Sequence, residues 1–515
     1  MAGKKLVEDA NLQTVAGRIG CVMGRSNTIL TKMLETALET PPNVMEKRRK
    51  LIGDLRAADP DWSERFATTA TTEKECDEFL SSKGAGADEI QKDTLGQLIF
   101  TTPDWVPFNY IPFMLLIISY FKRFVVPATI LAFPIFAIIL PYILLRWFYQ
   151  IPISYSQYFV ILKTLWVGKN GSFTNPQSML QLAFTIFSLV QSIVEPLKQA
   201  WHLHKTDRVI LSMGNKFLAL VASVRSFQAD CEAAGIATTR LTIGFEDIPT
   251  TPREATAFFL DQPERLAVIK TDLADLEIFW RFAATAAFKN VQFLRAPAAT
   301  EKGVQNFFRA RGLSDISLFD GKTSDCIFTP GRNHVVLTGP NGGGKSSFLR
   351  SLLQAALFSH TIGMATTDEL VLSPIAWIAS GVRLHDSPGK LSMFETEVKF
   401  AADVLRRSKN GSHGFILFDE LFHSTNPPDA EKTSRVFLEE LWKSKSVMSI
   451  VSTHMFSLAG AAGGAVQKWC FTATENDGRC IYDYTLKRGI CQVSSVKDIW
   501  DTFGFGSGAE HVSKP

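Results

Sequence analysis

The chain has 515 residues, of which 46% are hydrophobic and 20% charged, with a formal net charge of +3. That length is more than one domain's worth, and the near balance of charge excludes a global basic field that would advertise nucleic acid. The 39 phenylalanines lean toward lipid contact without making the whole chain a membrane protein.

The first part, roughly residues 1–100, is predicted to be helical, and Lys47-Arg48-Arg49-Lys50 is expected to be solvated helix surface. Ser82 to Ala87 is read as a loop. Residues 101–170 form an apolar insert. Trp105 to Phe121 lacks any charge, and after Lys122-Arg123 the run Phe124 to Leu145 is uncharged again. About 22 helical residues span about 33 Å, enough for a hydrocarbon core of about 30 Å. Tyr142, Trp147, Phe148 and Tyr149 crowd its far end, where amphipathic rings favour the headgroup zone. Flanking helical halves on one side require an even number of crossings or a re-entrant hairpin. Either Trp105–Phe121 pairs with Phe124–Leu145 through a turn at Lys122-Arg123, or Phe124–Leu145 pairs with Ile151–Val167. Pro127, Pro134 and Pro141 are expected to add kinks. A buried helical hairpin in a soluble core is the competing reading of the same run.

Residues 171–300 are read as a second helical half. Its Ser178–Val194 stretch has Gln181, Thr185, Ser188 and Ser192 on one narrow face, which predicts a mostly buried helix or one lying against lipid. Residues 301–515 carry the chemistry. His334 to Ser347 runs an apolar strand into Gly339-Pro340-Asn341-Gly342-Gly343-Gly344-Lys345-Ser346-Ser347. Glycines at this spacing let consecutive backbone N–H groups turn around an anion, and the helix expected over Ser346–Leu357 points its positive end there. Lys345 is the candidate for the β- and γ-phosphates and Ser346 for Mg²⁺. Gly414-Phe-Ile-Leu-Phe-Asp-Glu420 reads as a buried strand ending in two carboxylates. There Asp419 would orient Mg²⁺ and Glu420 would polarise the attacking water. Ser446 to His454 is another buried strand with a histidine just past its end, placed to sense the γ-phosphate. Between them, Asp386 to Glu397 is a polar stretch leading into a helix over Phe394–Arg407.

Together these motifs resemble the ATPase domain of the MutS family, the mismatch-repair branch of ABC-type ATPases, strongly over 300–505 and weakly over 25–80, where Leu34 to Lys50 is similar to the opening of the helical core. The P-loop resembles Gly-Pro-Asn-x-Gly-Gly-Lys-Ser-Thr, Asp419 to Thr425 resembles Asp-Glu-x-Gly-Arg-Gly-Thr, and Ser452-Thr453-His454 resembles Ala-Thr-His. By that resemblance Ser392 and Glu397 fall on a Ser-x-Phe-x-x-Glu signature, in which the serine contacts the nucleotide of the opposite subunit. The resemblance implies an α/β P-loop NTPase domain, ATP and Mg²⁺ as ligands, and a homodimer formed through that domain.

Two departures stand out. Phe422-His423-Ser424 replaces Gly-Arg-Gly, so the loop is expected to leave the family geometry, because Phe422 cannot adopt glycine-only backbone angles. Gly342 stands where a larger residue is usual. No room is found for a mismatch-reading domain, and the closing helices are expected to be shortened to Val496–Phe505.

The seven cysteines (Cys21, Cys76, Cys231, Cys326, Cys470, Cys480 and Cys491) are scattered without metal-ligand spacing. With no secretory leader expected, they predict an ATPase domain on the reducing, cytosolic side of a membrane. Two functions follow. One is a membrane-tethered, DNA-associated ATPase with ATP-gated dimerisation. The other is a membrane ATPase that remodels a transmembrane partner without touching DNA.

Overall fold

A computed structural model describes residues 2–85, 95–111, 113–167, 176–237, 247–294, 306–318, 321–382, 392–476 and 479–493. Helices come first: α1 (Ala2–Asp9), α2 (Leu12–Ile19), α3 (Ser26–Glu35), α4 (Pro42–Ala58), α5 (Ser63–Ala85), α6 (Met114–Tyr120), α7 (Val126–Ile143), α8 (Tyr155–Val167), α9 (Pro176–Ala233), α10 (Pro252–Asp261) and α11 (Pro263–Ala284). From there strands alternate with helices: β1 (Phe288–Phe293), β2 (Phe308–Leu313), β3 (Ser324–Phe328), β4 (His334–Thr338), α12 (Lys345–Ile362), β5 (Met364–Thr366), β6 (Glu369–Leu372) and β7 (Trp377–Gly381). The chain continues through α13 (Met393–Ser408), β8 (Gly414–Asp419), α14 (Pro427–Leu441), β9 (Val447–Ser452), α15 (Phe456–Ala461), β10 (Val466–Asn476) and β11 (Arg479–Arg488).

Two compact units result: Met1–Phe66, Cys231–Thr238 and Leu273–Pro515 make one, Ala67–Asp230 and Thr239–Asp272 the other. In the first, a six-stranded sheet has the order β11-β10-β4-β9-β8-β7. Its strands from β10 to β7 are parallel, and β11 pairs antiparallel with β10. The apolar runs of β4, β8 and β9 explain the order, since strands covered on both faces have no polar alternation to satisfy. Every residue of β4 and β9 is buried. A second sheet, β3-β2-β6-β1-β5, packs within the same unit. The N-terminal helices belong here as well. The buried Glu277 carboxylate accepts from the N–H groups of Val22 (2.6 Å) and Met23 (3.0 Å) and from the Ser26 hydroxyl (2.6 Å) at the start of α3. The Arg56 guanidinium donates to the carbonyls of Phe282, Ala283 and Thr285, the free groups at the end of α11.

The second unit corrects the expected turn at Lys122-Arg123. The helix does not break there. Residues 114–148 are continuously helical, with five-residue π-helical stretches at Phe121–Val125 and Leu144–Phe148. The pairing of Trp105–Phe121 with Phe124–Leu145 is thereby ruled out, and Trp105 itself precedes a short 3-10 turn, Val106–Tyr110. The physical reason lies in Arg123, which ion-pairs with the buried Asp207 of α9. Arg253 binds the same carboxylate with both forks, Nε at 3.0 Å and Nη2 at 2.9 Å, and the Ser119 hydroxyl donates to it at 2.8 Å. Of the basic pair read as a turn, Arg123 is instead an anchor to a buried carboxylate, and Lys122 donates to the Gln97 carbonyl.

The alternative partner is short over its described residues. Helix α8 has 13 residues, about 20 Å at 1.5 Å each, and folds back so that the Tyr158 hydroxyl donates to the Ile138 carbonyl (2.5 Å) while Tyr142 packs on Tyr155 and Tyr158. Pro134 and Pro141 lie inside α7, and Pro127 follows directly on the π-helical stretch Phe121–Val125 within the same continuous helix, where a local π adjustment accommodates the missing N–H. Ser178–Val194 is not a buried helix. It forms part of the 58-residue α9, with Leu180, Phe184 and Phe187 more than 60% exposed. Among the described residues, two helices are long and apolar enough to cross a bilayer, Met114–Phe136 and Ala183–Ala233.

Candidate functional site

Strands β4, β9 and β8 are neighbours, so the three segments that leave their C-terminal ends meet at one edge of the sheet. This is the crevice where open parallel sheets place ligands. From β4 comes the loop Gly339–Ser347, which closes onto α12. Gly339 has φ 150°, and a Cβ there would stand 2.9 Å from the Phe471 carbonyl oxygen, so only glycine fits against β10. Gly344 has φ 100° and starts α12, which runs from Lys345 to Ile362, longer at both ends than expected. Gly342, the departure noted above, has φ 76°, and a Cβ there would stand 3.8 Å from the Tyr482 ring; glycine suits that left-handed position.

The predicted polar residues converge. Lys345, only 5% exposed, donates from Nζ to the Gly339 and Pro340 carbonyls, both at 3.0 Å. Ser346 Oγ donates to Asp419 Oδ2 at 2.5 Å. His454 Nε2 lies 3.0 Å from Glu420 Oε1 and 3.3 Å from Lys345 Nζ. One ring nitrogen cannot both donate and accept, so Nε2–H either serves Glu420 or, deprotonated, receives Lys345. Since the lysine already serves two carbonyls, the bond to Glu420 is the satisfied one. That bond, then the positive charges of His454 and Lys345, holds the Glu420 carboxyl below the usual range, although burial works against it. Burial pushes the Lys345 ammonium down, opposed by Glu420 and Asp419.

Around these groups lies a cleft of about 690 Å³ lined by Pro340 to Phe348, Glu420, Phe471 and Tyr484, with Leu318, Gly321 and Lys322 on another side. Asn341 and Ser346 are exposed at its mouth, and Ser347 Oγ accepts from Arg350. Sequence reasoning missed two contributors. Ser452, fully buried at the end of β9, donates from Oγ to Asp419 Oδ1 and accepts from the Glu420 N–H (3.2 Å). A hydroxyl in a central apolar strand was the available signal. Tyr484 reaches the cleft from β11, more than a hundred residues after the loop, and nothing local marks it.

Mg²⁺ fits the donor set. The ion takes oxygen ligands octahedrally and is usually held by one or two protein groups plus phosphate oxygens and water; Ser346 Oγ and Asp419 Oδ2 offer such a pair on one side of the cleft.

Ser392 does not line this cleft. It is exposed at the start of α13, where its Oγ accepts from the Glu395 N–H (3.2 Å) and its own N–H donates to Glu395 (2.8 Å), a reciprocal cap. The rest of the expected segment, 383–391, lies outside the described residues, as does Val496–Phe505. Phe422 requires a correction. It does adopt a left-handed conformation, φ 52°, as does Glu420 at φ 55°. Such a backbone costs an L-residue about 1–2 kcal/mol. Phe422 offsets this by burying its ring, 2% exposed, against Phe394 and Phe437.

A P-loop after one strand, paired carboxylates after a second and a histidine after a third define a nucleoside-triphosphate site of the P-loop class. Residues 335–500, which hold all of these groups, match the family model of MutS domain V. The match is a likeness of this domain to the ATPase-containing C-terminal domain of the MutS family and agrees with a nucleotide-binding site here.

Proposed function

We propose that this protein is a membrane-tethered, Mg²⁺-dependent ATPase whose hydrolysis is completed by dimerisation. The observation that carries the reading is that Lys345 and Glu420 each lie within hydrogen-bonding distance of His454 and that Ser346 bonds to Asp419, with Lys345, Ser346 and Glu420 lining one cleft. Loop N–H groups and Lys345 would bind the phosphates, and Tyr484 offers an aromatic face for the base. Ser346 and Asp419 would hold Mg²⁺, whose charge would neutralise that developing on the phosphate. Glu420, kept ionised beside His454, would orient water and take its proton. Glu420→Gln should lower turnover by about 10²- to 10⁴-fold while trapping ATP, and Lys345→Ala should weaken triphosphate binding. Undiminished hydrolysis in Glu420→Gln would remove the glutamate from this role.

Membrane tethering rests on a different observation. The chain leaves the buried Arg123–Asp207–Arg253 cluster at the start of α7 and returns to it within α9. What lies between exposes Phe133, Phe136, Trp147, Leu180 and Phe184 at 62–78%. Leaving and returning at one point agrees with an even number of crossings, for which Met114–Phe136 and the apolar part of α9 have the length. Water is a poor solvent for such a surface and lipid a good one. This favours a transmembrane partner as the target of the ATP-driven motion. Salt-dependent binding of duplex DNA by the purified protein would instead support the DNA-associated reading.

A further inference from the structure

The residues that follow Glu420 are bound to α13 at three points. The Ser424 hydroxyl donates to Glu397 Oε2 at 2.6 Å. His423 Nδ1 lies 3.0 Å from Glu397 Oε1 and donates to the Glu420 carbonyl at 3.2 Å. Phe422 packs on Phe394, with ring centroids 6.2 Å apart. Glu397 is 2% exposed, so its carboxylate has exchanged water for the Ser424 hydroxyl at Oε2 and for the nearby His423 ring at Oε1, an oxygen that accepts no hydrogen bond of its own. The same loop holds two left-handed residues, Glu420 and Phe422, a conformation that persists only when its surroundings fix it.

We propose that Glu397, His423 and Ser424 form a positioning relay for the ATPase site: they hold the backbone at Glu420 so that its carboxylate faces His454, and they tie it to α13. Displacing the Ser392 end of α13 then displaces the catalytic carboxylate. Neither His423 nor Glu397 touches nucleotide; both act through Glu420. The inference rests on the ATPase reading above. It assigns to His423, where the resembled family carries arginine, a donor's part: the ring must present Nδ1–H to the Glu420 carbonyl, since a carbonyl only accepts.

The test compares wild type, His423→Leu, His423→Arg and Ser424→Ala in steady-state Mg·ATP hydrolysis, alongside nucleotide affinity and thermal midpoint. His423→Leu keeps the bulk and removes the donor. Its kcat should fall about 10- to 100-fold, as expected for a misplaced catalytic group, with KM, nucleotide affinity and thermal midpoint near wild type. His423→Arg should recover most of the loss, and Ser424→Ala should reproduce it more weakly. Unchanged kcat in both His423→Leu and Ser424→Ala overturns the relay, as does a rise in KM at constant kcat, which would make His423 a binding residue. If His423→Leu does not fold, Ser424→Ala decides by the same two readouts. A wild-type protein that binds but never hydrolyses ATP overturns the ATPase reading itself, and the relay with it.

Discussion

The P-loop cleft and the apolar insert solve opposite problems. In the cleft, polar groups taken out of water have each found a partner: Lys345 two carbonyls, Asp419 two hydroxyls, Glu420 an imidazole. In the insert, apolar groups remain unburied along two long helices, and one buried charge cluster forms around Asp207. The cleft's polar groups are thus satisfied within their own unit, while much of the insert's apolar surface is left exposed by the chain. Experiments that disturb one kind of surface should leave the other kind untouched, and this is how the contrast can be broken.

The largest effect is expected at Asp207. Its carboxylate, 4% exposed, is shared by two guanidiniums, and removing one member of a buried ion cluster typically costs about 3–5 kcal/mol because the remaining charges lose their counter-ion. Asp207→Asn, nearly the same size, should lower the denaturant midpoint of the detergent-solubilised protein without changing its affinity for Mg·ATP. An unchanged midpoint would mean that water reaches Arg123 and Arg253, and that the cluster is no anchor.

Next comes Ile135→Arg. Ile135 is 59% exposed in α7, so the substitution breaks no packing within the chain. In water it should be neutral. In a bilayer centre one arginine costs about 2.5–3.5 kcal/mol, so the variant should be lost from membranes washed in carbonate and high salt where wild type is retained. Equal recovery of both proteins in the soluble fraction would return α7 to the status of an ordinary exposed helix.

These two regions were also unequally legible. The P-loop could be read because its geometry is local: Gly339 and Gly344 sit where the chain must take positive φ, a few residues from the lysine they serve. Asp419, Glu420 and His454 were placed by the strands that carry them, since buried parallel strands announce themselves as unbroken apolar runs. Ser452 and Tyr484 were not legible, because they reach the site through sheet register and a distant hairpin. For the insert, hydropathy revealed an apolar segment but not its path. Lys122-Arg123 looks like a turn until Asp207, more than eighty residues later, is seen to hold it. Phe422 was misjudged because burial of a ring can outweigh the strain of its backbone.

A smaller effect tests the cleft's own sheet. His334, on β4, is buried, and its Nε2 faces the Ser444 carbonyl at 2.9 Å, so Nε2 carries the proton and Nδ1 accepts from Ser449 at 2.7 Å. No room is left for a second proton, and burial pushes this imidazole down to about 4. In the unfolded chain it titrates near 6.5. Between those values the unfolded state binds the extra proton, so the stability contributed by neutral His334 is complete above about pH 6.5 and is lost as the pH falls toward 4, by about 3 kcal/mol at most. Denaturation of His334→Gln should show a shallower decline over that interval than wild type.

The smallest expected change in stability, and the sharpest in function, is at Ser392. If this serine completes the site of an opposing subunit, turnover per subunit should rise with protein concentration. Ser392→Ala is an ambiguous test, because the hydroxyl also caps α13 by accepting from the Glu395 N–H, and losing such a cap costs about 0.5–2 kcal/mol. Ser392→Asp keeps an acceptor at the cap while replacing a neutral hydroxyl with a negative charge, which should repel the partner's phosphates. The two variants therefore separate the roles. A structural serine predicts that Ala loses activity and Asp retains it; a serine that meets the opposing nucleotide predicts that both lose turnover, Asp the more severely, while the affinity of the isolated subunit for nucleotide is unchanged. Turnover that stays constant down to concentrations where only monomer sediments would remove the in-trans contact, and would leave the capped end of α13 as a feature of the fold alone.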